Sequence, residues 1–352
     1  MGKHKELSAK IQVYLPLHGA RLNFIARFIM AVIVVRGVTL STVASALNPH
    51  VLLESNEKRI KRFFGEVKLE GAGVAKLLLS LLPVKEKLVL TLDRTTWELG
   101  GVCVNLLMLG VAYKGLAFPL LWVLLDKKGN SDTSERLALL DSLLTLISAE
   151  RIEAIVADRE FTGKPWFQGL KGRKLIFVMR VRNNTLISSK GQTRSAQVRY
   201  GYLKTQEVYL CPKRCWMFGL RVHLAVTKTK EGELLVLACN AEPERALPRY
   251  AQRWQIETLF SALKTRGFNL EDTHLVTPER LHKLLALLAL AFTWAYLVGE
   301  WCYVHYPLKL KKHDYLPKSY FKRGFDTLRS AILAGISPAK VDLVLCLELL
   351  SP

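Results

Sequence analysis

Cysteine is scarce and dispersed: six in 352 residues, at positions 103, 211, 215, 239, 302 and 346, with only Cys211 and Cys215 close together. A disulfide-stapled scaffold needs a denser framework. One C-x3-C pair with no second Cys or His pair at ligand spacing favours two ordinary thiols over a zinc site. Long hydrophobic runs are also lacking. The longest, Leu284 to Gly299, is about sixteen residues, short of the roughly twenty that span a bilayer, and it predicts a buried helix. The opening residues Met1 to Lys10 are charged and have no apolar core of a secretion signal, so a reducing cytosol is expected. Acidic residues are outnumbered, with 30 Asp+Glu against 51 Lys+Arg and a formal charge of +21. Half the residues are hydrophobic, which excludes a disordered polybasic tail. The length gives about two to three domains, each able to bury a core. The positive charge therefore sits on folded domains, where it attracts polyanions, nucleic acid first among them.

The hydrophobic pattern divides the chain. Residues 1–85 predict helices: Phe24, Phe28, Ala31, Val32 and Val35 recur at three- and four-residue spacing, with Gly37 ending the run. A short helix opened by Thr39 or Ser41 closes near Asn48-Pro49. A third follows with Ser55 as its cap and Arg59, Lys61 and Arg62 on it. A helix-turn-helix succession with a basic last member suits DNA contact, and a helical bundle with a solvated basic face is the competing reading.

Residues 86–183 turn to strands. Lys87 to Asp93 alternates, Val102 to Ala112 and Leu116 to Leu125 form a pair joined at Tyr113-Lys114-Gly115, and Ser131 to Ser148 reads as an amphipathic helix. Ile152 to Asp158 is a short buried strand, Pro165 to Leu170 helical, and Leu175 to Arg182 another strand. The order β-β-β-α-β-α-β is that of a ribonuclease H-like core, an α/β mixed sheet with helices on both faces. Residues 184–240 form a β-rich insertion with strand-like pieces at Gln206 to Leu210, Cys215 to Thr227 and Leu234 to Ala238. Positions 171–240 hold 14 Lys+Arg and 3 Asp+Glu, a net of +11. Such focusing suits a surface that tracks a phosphate backbone. Residues 241–275 resume the core and 276–352 form a helical C-terminal region.

Three carboxylates stand out. Asp93 follows Leu88 to Leu92, and Asp158 follows Ile155 to Ala157. An Asp at a strand's end often begins a turn, but the first and fourth strands are neighbours in a sheet of this order, so the two side chains would lie side by side. Adjacent carboxylates repel and are normally retained to hold cations. Asp126, Asp132 and Glu160 are weaker substitutes, in turns or past the strand end. The third carboxylate is Glu257, in the run from Tyr250 to Lys264. At about 100° per residue from Tyr250, Arg253 falls near 300°, Glu257 near 340° and Lys264 near 320°. All four share one stripe along the edge of the buried face of Ile256, Leu259, Phe260 and Leu263. An ordinary i, i+4 pair on an exposed face is the simpler alternative.

Asp93, Asp158 and Glu257, with the spacing Y-x2-R-x3-E-x6-K over Tyr250, Arg253, Glu257 and Lys264, resemble the DDE transposases of bacterial insertion sequences that carry the YREK signature. The resemblance covers nearly the whole chain and extends to Gly267 to His274. It implies a cut-and-paste enzyme that cleaves double-stranded DNA at an element's terminal inverted repeats and joins the 3′ ends to target DNA. It further implies two Mg2+ ions, for which Mn2+ can substitute, held by Asp93, Asp158 and Glu257 with Asp93 bridging, in a chemistry needing no protein base. Tyr250, Arg253 and Lys264 would contact DNA near the cleaved strand, and a homodimer would assemble on the paired ends in the cytoplasm at the nucleoid. Relatives pass through a hairpin intermediate aided by a stacking aromatic. Trp216 is the candidate here, Trp254 the second, and a core role for Trp216 the alternative. A DNA-binding protein without catalysis and a stand-alone ribonuclease H-like nuclease are the competing functions. His223, His274 and His282 sit in no triad-like context.

Overall fold

The computed structural model describes residues 3–99, 101–309, 316–337 and 341–350, so parts of the expected 276–352 helical region lie outside the described residues. The chain divides into two compact units. One comprises residues 1–83, 96–104 and 260–352, and the other residues 84–95 and 105–259. The helical ends of the chain thus belong to one body, while the core and its insertion make the other.

The helical unit begins with α1 (Lys3–Gln12), α2 (Gly19–Val35), α3 (Leu40–Leu47), α4 (Leu53–Glu66) and α5 (Gly71–Leu81). The apolar stripe of α2 is buried through Leu22, Ile25, Phe28, Ile29 and Val32, as its spacing requires. Its end differs from the expectation: Arg36, not Gly37, takes the left-handed conformation, with φ 57°. Ser55 is likewise no cap. The helix α4 starts three residues earlier, after Leu52, and buried Asn56 on it reaches back to close α3, its amide donating to the carbonyls of Ala44 (3.0 Å) and Asn48 (2.9 Å). That bond pair fixes the α3–α4 corner.

The sheet unit contains β1 (Leu88–Leu99), β2 (Val102–Tyr113), β3 (Leu116–Leu125), α6 (Thr133–Leu144), β4 (Ile152–Ala157), α7 (Lys164–Gly172) and β5 (Phe177–Val181). The far ends of β1 and β2, within residues 96–104, group with the helical unit. A two-residue turn joins β2 to β3, with Lys114 at φ 44° and Gly115 at φ 90°, the mirror-image turn that suits a twisted hairpin. Next come β6 (Leu186–Ser189), β7 (Gln192–Ser195), α8 (Ala196–Tyr200), β8 (Val208–Leu210), β9 (Cys215–Met217), β10 (Leu220–Lys228) and β11 (Leu234–Cys239). Among the described residues the strands form one sheet ordered β3-β2-β1-β4-β5-β11-β10-β9-β6-β7, with β8 beside β10. β11 pairs antiparallel with β5 from Val236↔Val181 to Cys239↔Val178, so the last strands of the 184–240 stretch extend the core sheet. The expected strand Cys215 to Thr227 is also split, because Phe218 (φ 50°) and Gly219 (φ 71°) turn the chain between β9 and β10.

Two short helices close the unit, α9 (Ala246–Ala251) and α10 (Gln255–Leu263), with a 3-10 turn at Gln252–Trp254 between them. The division between units falls inside α10. On the sheet face, α9 packs Ala246 and Tyr250 against Val89, Val156, Val178 and Leu237. Two arginines clamp its start: Arg249 Nε donates to Glu153 on β4 at 3.1 Å, and Arg245 reaches the same carboxylate at 2.6 Å.

The helical unit resumes with α11 (Pro278–His305), α12 (Tyr320–Ala334) and α13 (Leu343–Glu348). At 28 residues α11 is longer than its apolar run, so by length and composition it could cross a membrane. Its most apolar window is 89% buried by protein, as a core helix should be. Gly299 and Gly324 let α11 and α12 touch: a Cβ on Gly299 would overlap the carbonyl oxygen of Tyr320, and one on Gly324 that of Ala295.

Candidate active site

The parallel pair β1–β4 runs in register to Leu92↔Ala157. Asp93 and Asp158 are the next residue on each chain segment, so the ladder delivers two carboxylates to neighbouring positions. One detail differs from the sequence reading: β1 continues to Leu99, so Asp93 lies in mid-strand. The parallel partner β5 is in register with β4 at Ala157↔Met179, which places Arg180 beside Asp158. Its Nε lies 3.9 Å from Asp158 Oδ1, and it also pairs with Glu233. Nothing in the sequence motif pointed to Arg180; the β4–β5 register is what would have found it.

From the other side come the residues of α9, the 3-10 turn and α10. The Tyr250 hydroxyl donates to Asp158 Oδ1 at 3.3 Å. Burial first, and then the Asp158 charge, push the Tyr250 phenol well above its ordinary range. Arg253 sits on the turn with its side chain 6% exposed, one guanidinium nitrogen 3.6 Å from Asp93 Oδ2 and another 2.8 Å from Glu257 Oε1. The turn interrupts the continuous helix assumed for the polar stripe, yet Tyr250 reaches Asp158, Arg253 reaches Asp93, and Glu257 is tied to Arg253. Lys264 is placed differently: within the helical unit it lies 3.6 Å from Glu271 and 5.7 Å from the centre of the Trp97 ring.

The electrostatics follow from this packing. Burial pushes the Asp93 carboxyl up to about 6; the Arg94 backbone N–H and Arg253 hold it down, while Asp158 and Glu257 add to the rise. Burial also works against the charged Arg253 guanidinium, but Tyr250, Glu257 and Asp93 outweigh it and its pKa is raised. The donor chemistry fits a hard divalent cation. Three carboxylates supply oxygen only, and Asp93 is destabilised as an anion chiefly by burial, with Asp158 and Glu257 adding to it, which a cation would relieve. Among the described residues, however, no three His, Cys, Asp or Glu groups stand together around one point, and the Arg253 guanidinium lies between two of the three carboxylates.

Two of the weaker substitutes, Asp132 and Glu160, have structural tasks. Asp132 caps α6 by accepting from the Glu135 N–H at 2.9 Å. Glu160 accepts from Arg94 Nε at 3.0 Å and from Ser131.

Trp216 is 48% exposed while its strand neighbours Cys215 and Met217 are buried, so it is not core of the insertion. The Arg221 guanidinium lies 5.3 Å from its ring centre. Together they line a cavity of about 1120 Å³ with Lys190, Arg199, Tyr202 and Tyr209. Trp254 is exposed under Arg253, at 4.6 Å. On α4, Arg59, Lys61 and Arg62 are exposed. Arg59 and Arg62 line a groove of about 450 Å³ that Arg21 and Arg27 of α2 share; the α2 arginines were not anticipated.

A family match accords with this geometry. Residues 85–294, more than half the chain, match the family described as Transposase DDE domain, and the chain belongs to that family. It is a transposase, of a family whose domains act on DNA and generally use divalent metal ions. No curated protein matches it. Among solved structures it is similar to a piggyBac transposase in a cryo-EM synaptic complex with hairpin DNA, at 12% identity and a TM-score of 0.44, covering 94% of this chain and 78% of that one.

Proposed function

We propose that the chain is a cut-and-paste transposase of a bacterial insertion sequence carrying the YREK signature. Its β1–β5 order is that of a ribonuclease H-like core, with Asp93, Asp158 and Glu257 as the metal-holding carboxylates. The observation that carries this reading is the β1–β4 register, which puts Asp93 beside Asp158, together with Arg253 linking Asp93 to Glu257.

Two Mg2+ ions, when bound, would supply activation of the attacking oxygen and stabilisation of the leaving oxygen in phosphoryl transfer. The chain's own groups do the rest. Tyr250 and Arg180 orient Asp158 from opposite elements. The Arg94 N–H donates to Asp93 Oδ1 at 2.8 Å and holds that carboxylate against the strand. Arg253 and Lys264 supply cations for DNA phosphates, the first as a two-donor fork and the second as a point charge.

Exposed Trp216, with cations and tyrosines around its cavity, is suited to stack an unpaired base during a hairpin step. The basic groove of α2 and α4 and Lys61 suit duplex phosphates at the terminal repeats. Pairing two ends implies a homodimer on DNA, at the nucleoid in the cytoplasm.

The test is a labelled duplex carrying the element's terminal sequence, incubated with purified protein and Mg2+. Wild type is expected to nick and then join, whereas Asp93→Asn should bind the duplex with wild-type affinity and leave it uncut. Cleavage by the Asn variant would refute the assignment.

A further inference from the structure

We infer that Arg253 is a built-in counter-cation that holds Asp93 and Glu257 in the metal-free protein and must leave them for a divalent ion to bind, its release being coupled to DNA. This rests on the carboxylates being the metal-holding set.

The Arg253 side chain is nearly buried and spans two carboxylates from distant parts of the chain, Asp93 on β1 and Glu257 on α10. An i, i+4 helix pair alone would be a minor surface contact. The added reach to Asp93 makes it a bridge. Its Nε is buried without a hydrogen-bond partner, so the side chain is placed for its terminal nitrogens. The third carboxylate, Asp158, is held by Tyr250 and Arg180 instead.

A guanidinium and a divalent ion use the same oxygen lone pairs on Asp93 and Glu257, so they compete for them. A guanidinium that loses both carboxylates in a buried place carries a large penalty unless another anion takes it. A phosphodiester is such an anion, since its paired oxygens match the guanidinium fork. DNA at the site would thus accept Arg253 and leave the carboxylates to the ion. Linkage makes this reciprocal: DNA raises the affinity for the ion by the factor by which the ion raises affinity for DNA. Such a protein keeps its cutting site unfilled until DNA is present.

The test is Mn2+ titration of the full chain, followed by the electron paramagnetic resonance of free Mn2+, without DNA and with a mixed-sequence duplex at low salt. Without DNA, Arg253→Gln is expected to bind Mn2+ about 5- to 10-fold more tightly than wild type, the lower range of typical couplings. Arg253→Lys, which keeps the charge but loses the fork, should fall between them and guards against a folding defect in the Gln variant. Duplex should tighten Mn2+ binding to wild type and leave Arg253→Gln nearly unchanged. If Asp93→Asn loses Mn2+ binding but Arg253→Gln binds no more tightly than wild type, the counter-cation role is overturned by itself. If Asp93→Asn binds Mn2+ as wild type does, or no protein in the series binds it, the metal-holding reading fails and this inference with it.

Discussion

Asp93 shows how a carboxylate proposed to hold metal opposes folding. Its carboxyl is pushed up to about 6 chiefly by burial, against an ordinary value near 3.9. A carboxyl whose pKa is raised in the folded state is more protonated there than in the unfolded chain. Its contribution to stability is therefore fully present below about pH 4 and is lost as pH rises through about 6. The shift corresponds to about 3 kcal/mol. In metal-free protein, wild type should lose stability relative to Asp93→Asn between about pH 4 and 7, read from denaturant midpoints at a series of pH values. Parallel curves for the two proteins would show that the carboxyl is not strained. Asn56 illustrates the opposite case, a buried polar group fully engaged as a donor. Asn56→Leu leaves the Ala44 and Asn48 carbonyls without their donor, at a cost of about 1–3 kcal/mol, measurable by thermal melting.

Elements carry the geometry that single residues cannot. The site depends on parallel β1 and β4 ending their shared register one residue before their aspartates, and on α9 being pinned to β4 by Arg245 and Arg249 through Glu153. Replacing Glu153 by Gln should loosen α9 and lower the cleavage rate, with little change in DNA affinity, in a single-turnover assay; an unchanged rate would show the clamp to be dispensable. In the helical unit, the Gly299–Gly324 contact has no room for a methyl group. Gly299→Ala must push α11 and α12 apart, and a loss at or beyond the upper end of about 1–3 kcal/mol is expected from chemical denaturation.

The whole molecule adds a field. A net charge of +21, with a basic groove on the N-terminal helices and a basic, aromatic-lined cavity on the extended sheet, should make DNA binding steeply salt-dependent. Exchanging Arg59 or Arg62 for Gln is expected to reduce the log–log salt slope by about one for each phosphate no longer neutralised. Equal slopes for wild type and both variants would mean that DNA phosphates bind elsewhere on the protein.

Composition and periodicity by themselves determined the broad layout, helices toward both ends and strands between, and singled out the candidate carboxylates at positions 93, 158 and 257. Apolar spacing is a local property, so α2, β4 and β5 could be read from it. Boundaries set by long-range contacts could not. The start of α4 depends on Asn56 reaching back to α3, and the turn at Phe218-Gly219 and the docking of β11 on β5 depend on which strands find each other. Only the tertiary structure decided that Trp216 faces outward, that Arg180 stands beside Asp158, and that Arg253 lies between two carboxylates rather than open to DNA. Those facts arise from packing and pairing between segments far apart along the chain, where the energy lies in contacts that no short stretch of sequence records.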